Sequence, residues 1–417
     1  MNIYTLVILS FISTVYFIRT LANLLNIKNI SEDIPLEFVE YFDKEKYVKS
    51  QLYLKATTNL SLVSSTFILI IQIVFIISGG FNYINEIAKF FGFGFIVTGL
   101  IFICILLLMI EIIKLPFSAY SIFIIEEKFG FNKMNLKTFI MDFLKSLFIT
   151  IIIETIIFSI ILWLFANTPK YAWLYAFIAI IIFELILNFI APVFIMPLFN
   201  KYSPLKNDEL KTSIEEYINK ENFKIKGVFI MDSSKRSTKS NAFFTGFGKF
   251  RRIVLFDTLL QKYSIEELTN IIAHEIGHFK LRHLMKHIIF SFVSSGIMFF
   301  VFSLFINKIW LYKAFLMQTQ PIYAGIIFFA FLYTPISILS SMILNYFLRK
   351  HEYEADAYAV ITYKHPDAML NALKKLSVDN LSNLYPHKFK VFLEYSHPTI
   401  LERIKAINKF LVRLKNC

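Results

Sequence analysis

The chain has 417 residues, of which 56% are hydrophobic and only 18% charged, with a mean hydropathy of +0.59. About a quarter of the residues of an ordinary soluble domain are charged, so this much apolar surface excludes a water-soluble particle and calls for a lipid bilayer to cover part of it. The net charge of +13 would suit nucleic acid, but no RNA- or DNA-binding motif accompanies it; nucleic acid is set aside as a partner, and the excess is read as Lys and Arg gathered in cytoplasmic loops.

A span needs about 20 mostly apolar residues. Such runs fall at 3–24, 60–80, 95–124, 145–166, 171–198, 285–307 and 322–347. The first stands where a signal peptide would, but it lacks a basic start and a small-residue cleavage site, so it reads as a retained span. The third and fifth are long enough to tilt or to run past the lipid. Lys44, Lys46, Lys49 and Lys55 follow the first span, and Lys128, Lys133, Lys137 and Lys145 follow the third. The segment after the fifth and the C-terminal tail are also basic, whereas the remaining loops carry only Lys89, Lys170, Lys308 and Lys313. Basic and poor loops alternate, which puts the N-terminus outside and the C-terminus in the cytoplasm. The membrane would be the endoplasmic reticulum in a eukaryote or the inner or plasma membrane in a bacterium.

Arg19, Glu111, Lys114, Glu154 and Glu184 fall inside spans. Ionisable groups there face a bundle interior or a watery cavity; Glu111 and Lys114, three residues apart, can pair on one helix face. The fold class is therefore an α-helical multi-pass membrane protein with about seven spans and a small α+β region on the cytoplasmic side. Its parts are spans one to five (1–199), a soluble insertion (200–284), spans six and seven (285–347) and a helical C-terminal region (348–417). Short strands are expected at 228–231, 241–247 and 253–256, separated by Ser-, Lys- and Gly-containing tracts. Cys104 sits in an apolar run and Cys417 is the last residue, which argues against a structural disulfide, a cysteine zinc site and a prenylation box.

After the strands, Ser264 followed three residues later by Glu267 is a capping box, so a helix starts there. That helix carries His274-Glu275-Ile276-Gly277-His278. Positions i and i+4 share a face, so both imidazoles can bind one zinc ion, with Glu275 beside them as the base that takes a proton from water. The longer pattern ending in a third histidine fails, because Leu281 and Leu284 occupy its Gly and His positions. His283 and His287 read as helix-end and interfacial polar residues. A carboxylate from another helix is the usual alternative, and the best source is Arg349 to Asp356, just past the last span. There Glu352 is the expected third ligand, Asp356 one turn on supports a ligating imidazole, and Glu354 points to another face as a solvated charge. One zinc ion per chain is expected.

Taken together, the chain resembles the Ste24 family, the type I membrane CaaX prenyl proteases. The resemblance rests on Leu115-Pro116-Phe117-Ser118, Glu126 to Lys133, Met196 to Lys201, Ser240 to Phe244 with Gly246 to Gly248, Arg252 to Leu260, Glu352 to Asp356, and Ser396-His397-Pro398 with Arg403. One departure is a Phe where the family's Asn-Ala segment usually has Tyr. The resemblance implies seven helices around a water-filled intramembrane chamber, lined in part by Glu111, Glu154 and Glu184. It implies removal of the last three residues from a prenylated peptide or protein, or cleavage of some other membrane-delivered peptide. It also implies that His397 stabilises the oxyanion, that Arg403 orients a ligand carboxylate, and that Asn241, Ala242, Phe243 and Phe244 hold substrate by strand addition. The rival is a membrane quality-control protease of the HtpX type, which shares the zinc motifs but has fewer spans.

Overall fold

The computed structural model describes residues 2–246 and 251–416. Among the described residues, seven helices are long and apolar enough to cross a membrane. In chain order the elements begin with α1 (Ile3–Lys28), α2 (Lys44–Ile77), the short α3 (Gly80–Phe90) and α4 (Phe95–Tyr120). α4 runs on through a π-helical turn, Ser121–Glu126. Then come α5 (Leu136–Asn167) and α6 (Ala172–Ile190), which continues through Ala191–Ile195 in the same wider winding. Asn2, Asp43 and Asn135 cap α1, α2 and α5 by accepting a hydrogen bond from the third residue on. The second span starts sixteen residues earlier than its apolar run, at Lys44 rather than 60, because the Asp43 cap opens a polar helical stretch that feeds into the lipid-facing part.

The soluble part contains β1 (Tyr202–Pro204), α7 (Asp208–Lys220), β2 (Gly227–Met231), β3 (Ala242–Thr245), β4 (Arg252–Phe256), α8 (Asp257–Leu260) and α9 (Ile265–Lys280). The three expected strands form; β1 was not anticipated, and Phe247, the end of the expected second strand, lies outside the described residues. The sheet order is β1-β2-β4-β3, with β2 and β4 parallel and both outer pairs antiparallel. One face of this sheet packs on α7 and α9 through Ile214, Ile253, Leu255, Ile272 and Ile276.

The chain returns to the bundle as α10 (His283–Phe305), the short α11 (Ile309–Lys313) and α12 (Ile322–Tyr363). It ends with α13 (Pro366–Asp379), α14 (Lys388–Glu394) and α15 (Ile400–Lys415). The last span and the Glu352 segment, expected as separate regions, are one helix of 42 residues. Among the described residues no helix breaker lies between Leu348 and Tyr363, so the lipid-facing helix continues as a rigid rod into the soluble region. The bundle's main apolar cluster joins Ile8, Phe81, Phe102, Leu162, Phe315 and Phe328. On the opposite side, Phe38, Phe42 and Tyr47 after α1 pack on Val378, Leu384, Leu401 and Ile404. The first basic loop and the C-terminal region therefore lie at the same end of the bundle.

The spans enclose open volume. A cavity of about 740 Å³ is lined by Tyr16, Arg19, Gln72, Thr334, Asn345 and Lys390 among others. An adjoining one of about 520 Å³, sharing Ile68, Gln72 and Phe331, is lined mainly by aliphatic side chains with Lys114 and Glu154. Of the intramembrane charges, Arg19, Lys114 and Glu154 thus line cavities, whereas Glu111 and Glu184, expected on the same chamber, line neither of these two. Glu111 pairs with Lys114 at 3.4 Å, and Glu184 accepts 3.1 Å hydrogen bonds from Ser291 of α10.

Candidate metal centre

The Ser264 capping box forms as expected: the Glu267 amide donates to Ser264 Oγ (3.3 Å) and the Ser264 amide to Glu267 Oε2 (2.9 Å). The start of α9 is thereby set, and its 3.6-residue period decides the rest. Leu268, Ile272 and Ile276 bury against the sheet, while His274, Glu275 and His278 face a cleft of about 400 Å³. α12 crosses α9 at Gly277. A Cβ there would lie 3.3 Å from the Ala355 Cα and carbonyl oxygen, so the lack of a side chain permits the close approach that brings Glu352, one turn before Ala355, against the two imidazoles.

His274 Nε2 and His278 Nε2 are 3.2 Å apart, and Glu352 oxygens lie 3.5 Å from the first and 3.3 Å from the second. A tetrahedral zinc with bonds of about 2.0–2.1 Å has ligand–ligand edges of about 3.3 Å. The donor set, two imidazole nitrogens and a carboxylate oxygen, and its spacing both fit zinc. Asp356 Oδ1 is 2.9 Å from His274 Nδ1, the position from which it would fix that ring. Arg403, buried on the first turn of α15, donates to both Asp356 oxygens, with Nε at 2.8 Å, and lies 3.3 Å from Glu352. Burial alone would lower the guanidinium pKa, but the Asp356 and Glu352 carboxylates raise it, so the group stays charged. Glu275 is half-buried; burial pushes its carboxyl above the ordinary value, against the pull of the two imidazoles. His397 reaches over from the turn before α15, its Nε2 3.4 Å from Glu352 while the side chain stays 66% exposed.

β3 is an edge strand, and Asn241, Ala242 and Phe243 line the same cleft as the histidines. Phe244 does not: its ring packs instead against Phe223 and Phe279. The start of β3 is clamped. Asn380 exchanges two 3.1 Å hydrogen bonds with the Ser240 backbone, and Lys239 reaches Glu126 at 3.0 Å and Tyr53 at 2.7 Å, tying the strand to α2 and α4. The cleft adjoins a pocket of about 460 Å³ through His397, and that pocket shares Glu394 with the larger intramembrane cavity.

Two readings are corrected. His283 does stand at the start of α10, but it is only 1% exposed and its Nδ1 lies 3.0 Å from His278 Nδ1. His287 Nε2 pairs with His351 Nδ1 at 2.9 Å rather than with an interface. Glu354 is not a free solvated charge, because it bonds His283 Nε2 at 3.0 Å. The spacing of five from His278 to His283 is no helical repeat. The contact depends on a turn at Arg282, whose positive φ of 56° reverses the chain between α9 and α10.

Seven membrane helices joined to an HExxH helix and a carboxylate from a second helix define an integral-membrane metallopeptidase. Residues 23–201 match the model of the CAAX prenyl protease N-terminal region, five membrane helices, and residues 204–411 match peptidase family M48. The probable CAAX prenyl protease 1 of Schizosaccharomyces pombe is 34% identical, with 93% of this chain and 84% of that protein aligned. CAAX prenyl protease 1 of Saccharomyces cerevisiae is 33% identical over 92% and 90%. The crystal structure of S. mikatae Ste24p superposes with a TM-score of 0.92 at 32% identity, covering 98% of this chain and all of that one. The chain belongs to the CAAX prenyl protease 1 (Ste24) family of M48 peptidases, and it is a membrane zinc metalloprotease.

Proposed function

We propose that this enzyme removes the C-terminal tripeptide from prenylated CaaX-type substrates that reach the cleft from the membrane. The observation that carries the reading is a row of pockets with shared walls: His397 borders both the peptidase cleft and the next pocket, Glu394 borders that pocket and a cavity in the span bundle, and a mainly aliphatic cavity adjoins the last, so a lipid-modified end and a scissile bond have neighbouring sites. The relatives' names as CAAX prenyl proteases support it.

One zinc ion would be held by His274, His278 and Glu352; when bound it would supply a Lewis acid that polarises the scissile carbonyl and acidifies water. Glu275 is the base: its raised pKa matches a group that accepts a proton from the attacking water and passes it to the leaving amine. Asp356 holds His274 through Nδ1, and Arg403 holds Asp356 and Glu352. His397, open to the cleft beside Glu352, donates a hydrogen bond to the developing oxyanion. The free edge of β3 at Asn241, Ala242 and Phe243 pairs with the substrate backbone, Phe244 contributing main chain only.

The alternation of basic loops puts the N-terminus outside and the cleft in the cytoplasm, a parity supported by the packing of the first basic loop on the C-terminal region. A thiol reagent that cannot cross membranes should leave Lys235→Cys unlabelled in intact cells; labelling from outside overturns the orientation. The substrate assignment is tested by mass spectrometry of products from matched prenylated and unprenylated peptides. A single cut before the last three residues, dependent on the prenyl group, is expected. Cleavage at many bonds of unprenylated membrane proteins would instead point to quality control.

A further inference from the structure

A second group of ionisable side chains adjoins the metal centre where α9 gives way to α10. The left-handed turn at Arg282 folds His283 back so that its Nδ1 meets His278 Nδ1 at 3.0 Å. On the far side of the ring, His283 Nε2 lies 3.0 Å from Glu354 Oε2. The His283 ring stacks on His351 at 4.1 Å with 13° between planes, so it has one packed orientation. Glu354 is flanked by Lys286 at 3.6 Å and Lys350 at 3.8 Å, which offset its charge.

The protons along this row can be assigned by exclusion. The inference rests on the metal reading proposed above, in which His278 presents Nε2 to the ion, the nitrogen that faces His274 and Glu352. A neutral imidazole carries a single N–H, so His278 Nδ1 is the donor. The atom facing it, His283 Nδ1, then accepts, which makes His283 neutral with its own N–H on Nε2. That N–H donates to the Glu354 carboxylate. Each step admits one tautomer, and the row is a carboxylate–His–His chain that ends on a metal ligand.

We propose that Glu354 and His283 are positioning residues for the metal centre: they lock His278 in its Nε2-ligating tautomer and raise its donor strength through two hydrogen bonds in series. Ligating histidines commonly donate their second N–H straight to a carboxylate, as the His274–Asp356 pair is placed to do at 2.9 Å. His278 has its carboxylate at one remove, through a second imidazole. His283, His351 and Glu354 also lie close enough together to suggest a separate metal site. Two facts disfavour it. The Nε2 of His283 carries a proton in the only consistent tautomer, and Glu354 already faces two ammonium groups.

The test uses the purified full-length enzyme and measures zinc affinity by competition with a chelator, alongside metal stoichiometry and the unfolding temperature of the metal-free protein. Glu354→Gln keeps the side chain's size and removes its charge. Zinc affinity should fall by about 10–100-fold, with metal-free stability unchanged and one zinc still bound at saturation. In a His283→Ala background the same change should have no further effect, because both residues act through one chain. His283→Asn serves in that cycle if His283→Ala does not fold. Unchanged affinity in Glu354→Gln, or effects that add fully in the double variant, overturns the proposal. So does a parent stoichiometry of two metals that Glu354→Gln reduces to one, which would make the cluster a second site. His274→Ala separates the two levels: if it leaves zinc bound, the metal site itself is misassigned, whereas lost zinc in His274→Ala with unaltered Glu354→Gln rejects only the relay.

Discussion

The span bundle and the junction of α9, α12 and α15 spend their buried volume differently. In the bundle, helices meet through Phe81, Phe102, Phe315, Phe328 and aliphatic neighbours, and large cavities are left between them. At the junction, His274, Glu352, Asp356 and Arg403 are all buried, and each lies within 3.5 Å of at least two of the others. Dispersion contacts are non-directional and tolerate small displacements. Buried charges hold only if each is paired with good geometry, and breaking one pair strands its partner. Substitutions at the junction should therefore alter metal binding and chemistry, whereas substitutions in the bundle should alter stability and leave chemistry alone.

The strongest way to break this contrast is at the proposed ligands. His274→Ala, His278→Ala and Glu352→Ala should each lose zinc and abolish peptidase activity, read by elemental analysis and cleavage of a prenylated peptide. Full zinc retention in Glu352→Ala would move the third ligand elsewhere. Next is Glu275→Gln, which keeps shape but removes the base. Turnover should fall by about 10²–10⁴-fold while zinc content and peptide affinity persist; cleavage near the parent rate with zinc retained would remove Glu275 from the mechanism. Smaller effects are expected one layer out. Asp356→Asn, or Arg403→Lys, which keeps the charge and loses the fork geometry, should weaken zinc binding by about 10–100-fold.

The contrast is sharpest between two glycines. Gly277→Val forces apart the α9–α12 crossing at Ala355 and Tyr358, so zinc affinity should drop even though no ligand is changed. A Cβ at Gly325 would meet Tyr312 and Ile306 within the bundle; Gly325→Ala should cost about 1–3 kcal/mol of stability by overpacking. Thermal unfolding should register that loss while kcat per folded molecule and zinc content stay at parental values. A Gly325→Ala enzyme that unfolds normally but binds zinc poorly would show that the bundle and the metal centre are not separable in this way.

Much of the bundle was legible because a span is recorded locally: about 20 apolar residues in a row announce it whatever they touch. The HExxH helix was legible for a similar reason, since Ser264, Glu267, His274 and His278 carry cap and face within one element. Less legible were the helix ends. The polar first part of α2 and the run of α12 past the lipid have no apolar signature of their own. The short helices α3 and α11 carry no apolar run long enough to announce a span, and Phe81, Ile84, Leu311 and Tyr312 pack them on the bundle.

From its sequence alone the chain determined its class, its number of spans, the two-histidine face with Glu275, and the segment that offers Glu352 and Asp356. All of these rest on composition or on residues within one helical turn, where backbone periodicity fixes who shares a face. Tertiary structure alone decided that Gly277 lets α12 come within reach of α9, that Arg403 bridges Asp356 and Glu352, and that Phe244 turns into the core. It also decided that a single left-handed residue, Arg282, swings His283 between His278 and Glu354. These contacts join residues on different helices or across a chain reversal, and a reversal's direction is set by the packing of both elements it connects, which no local pattern records.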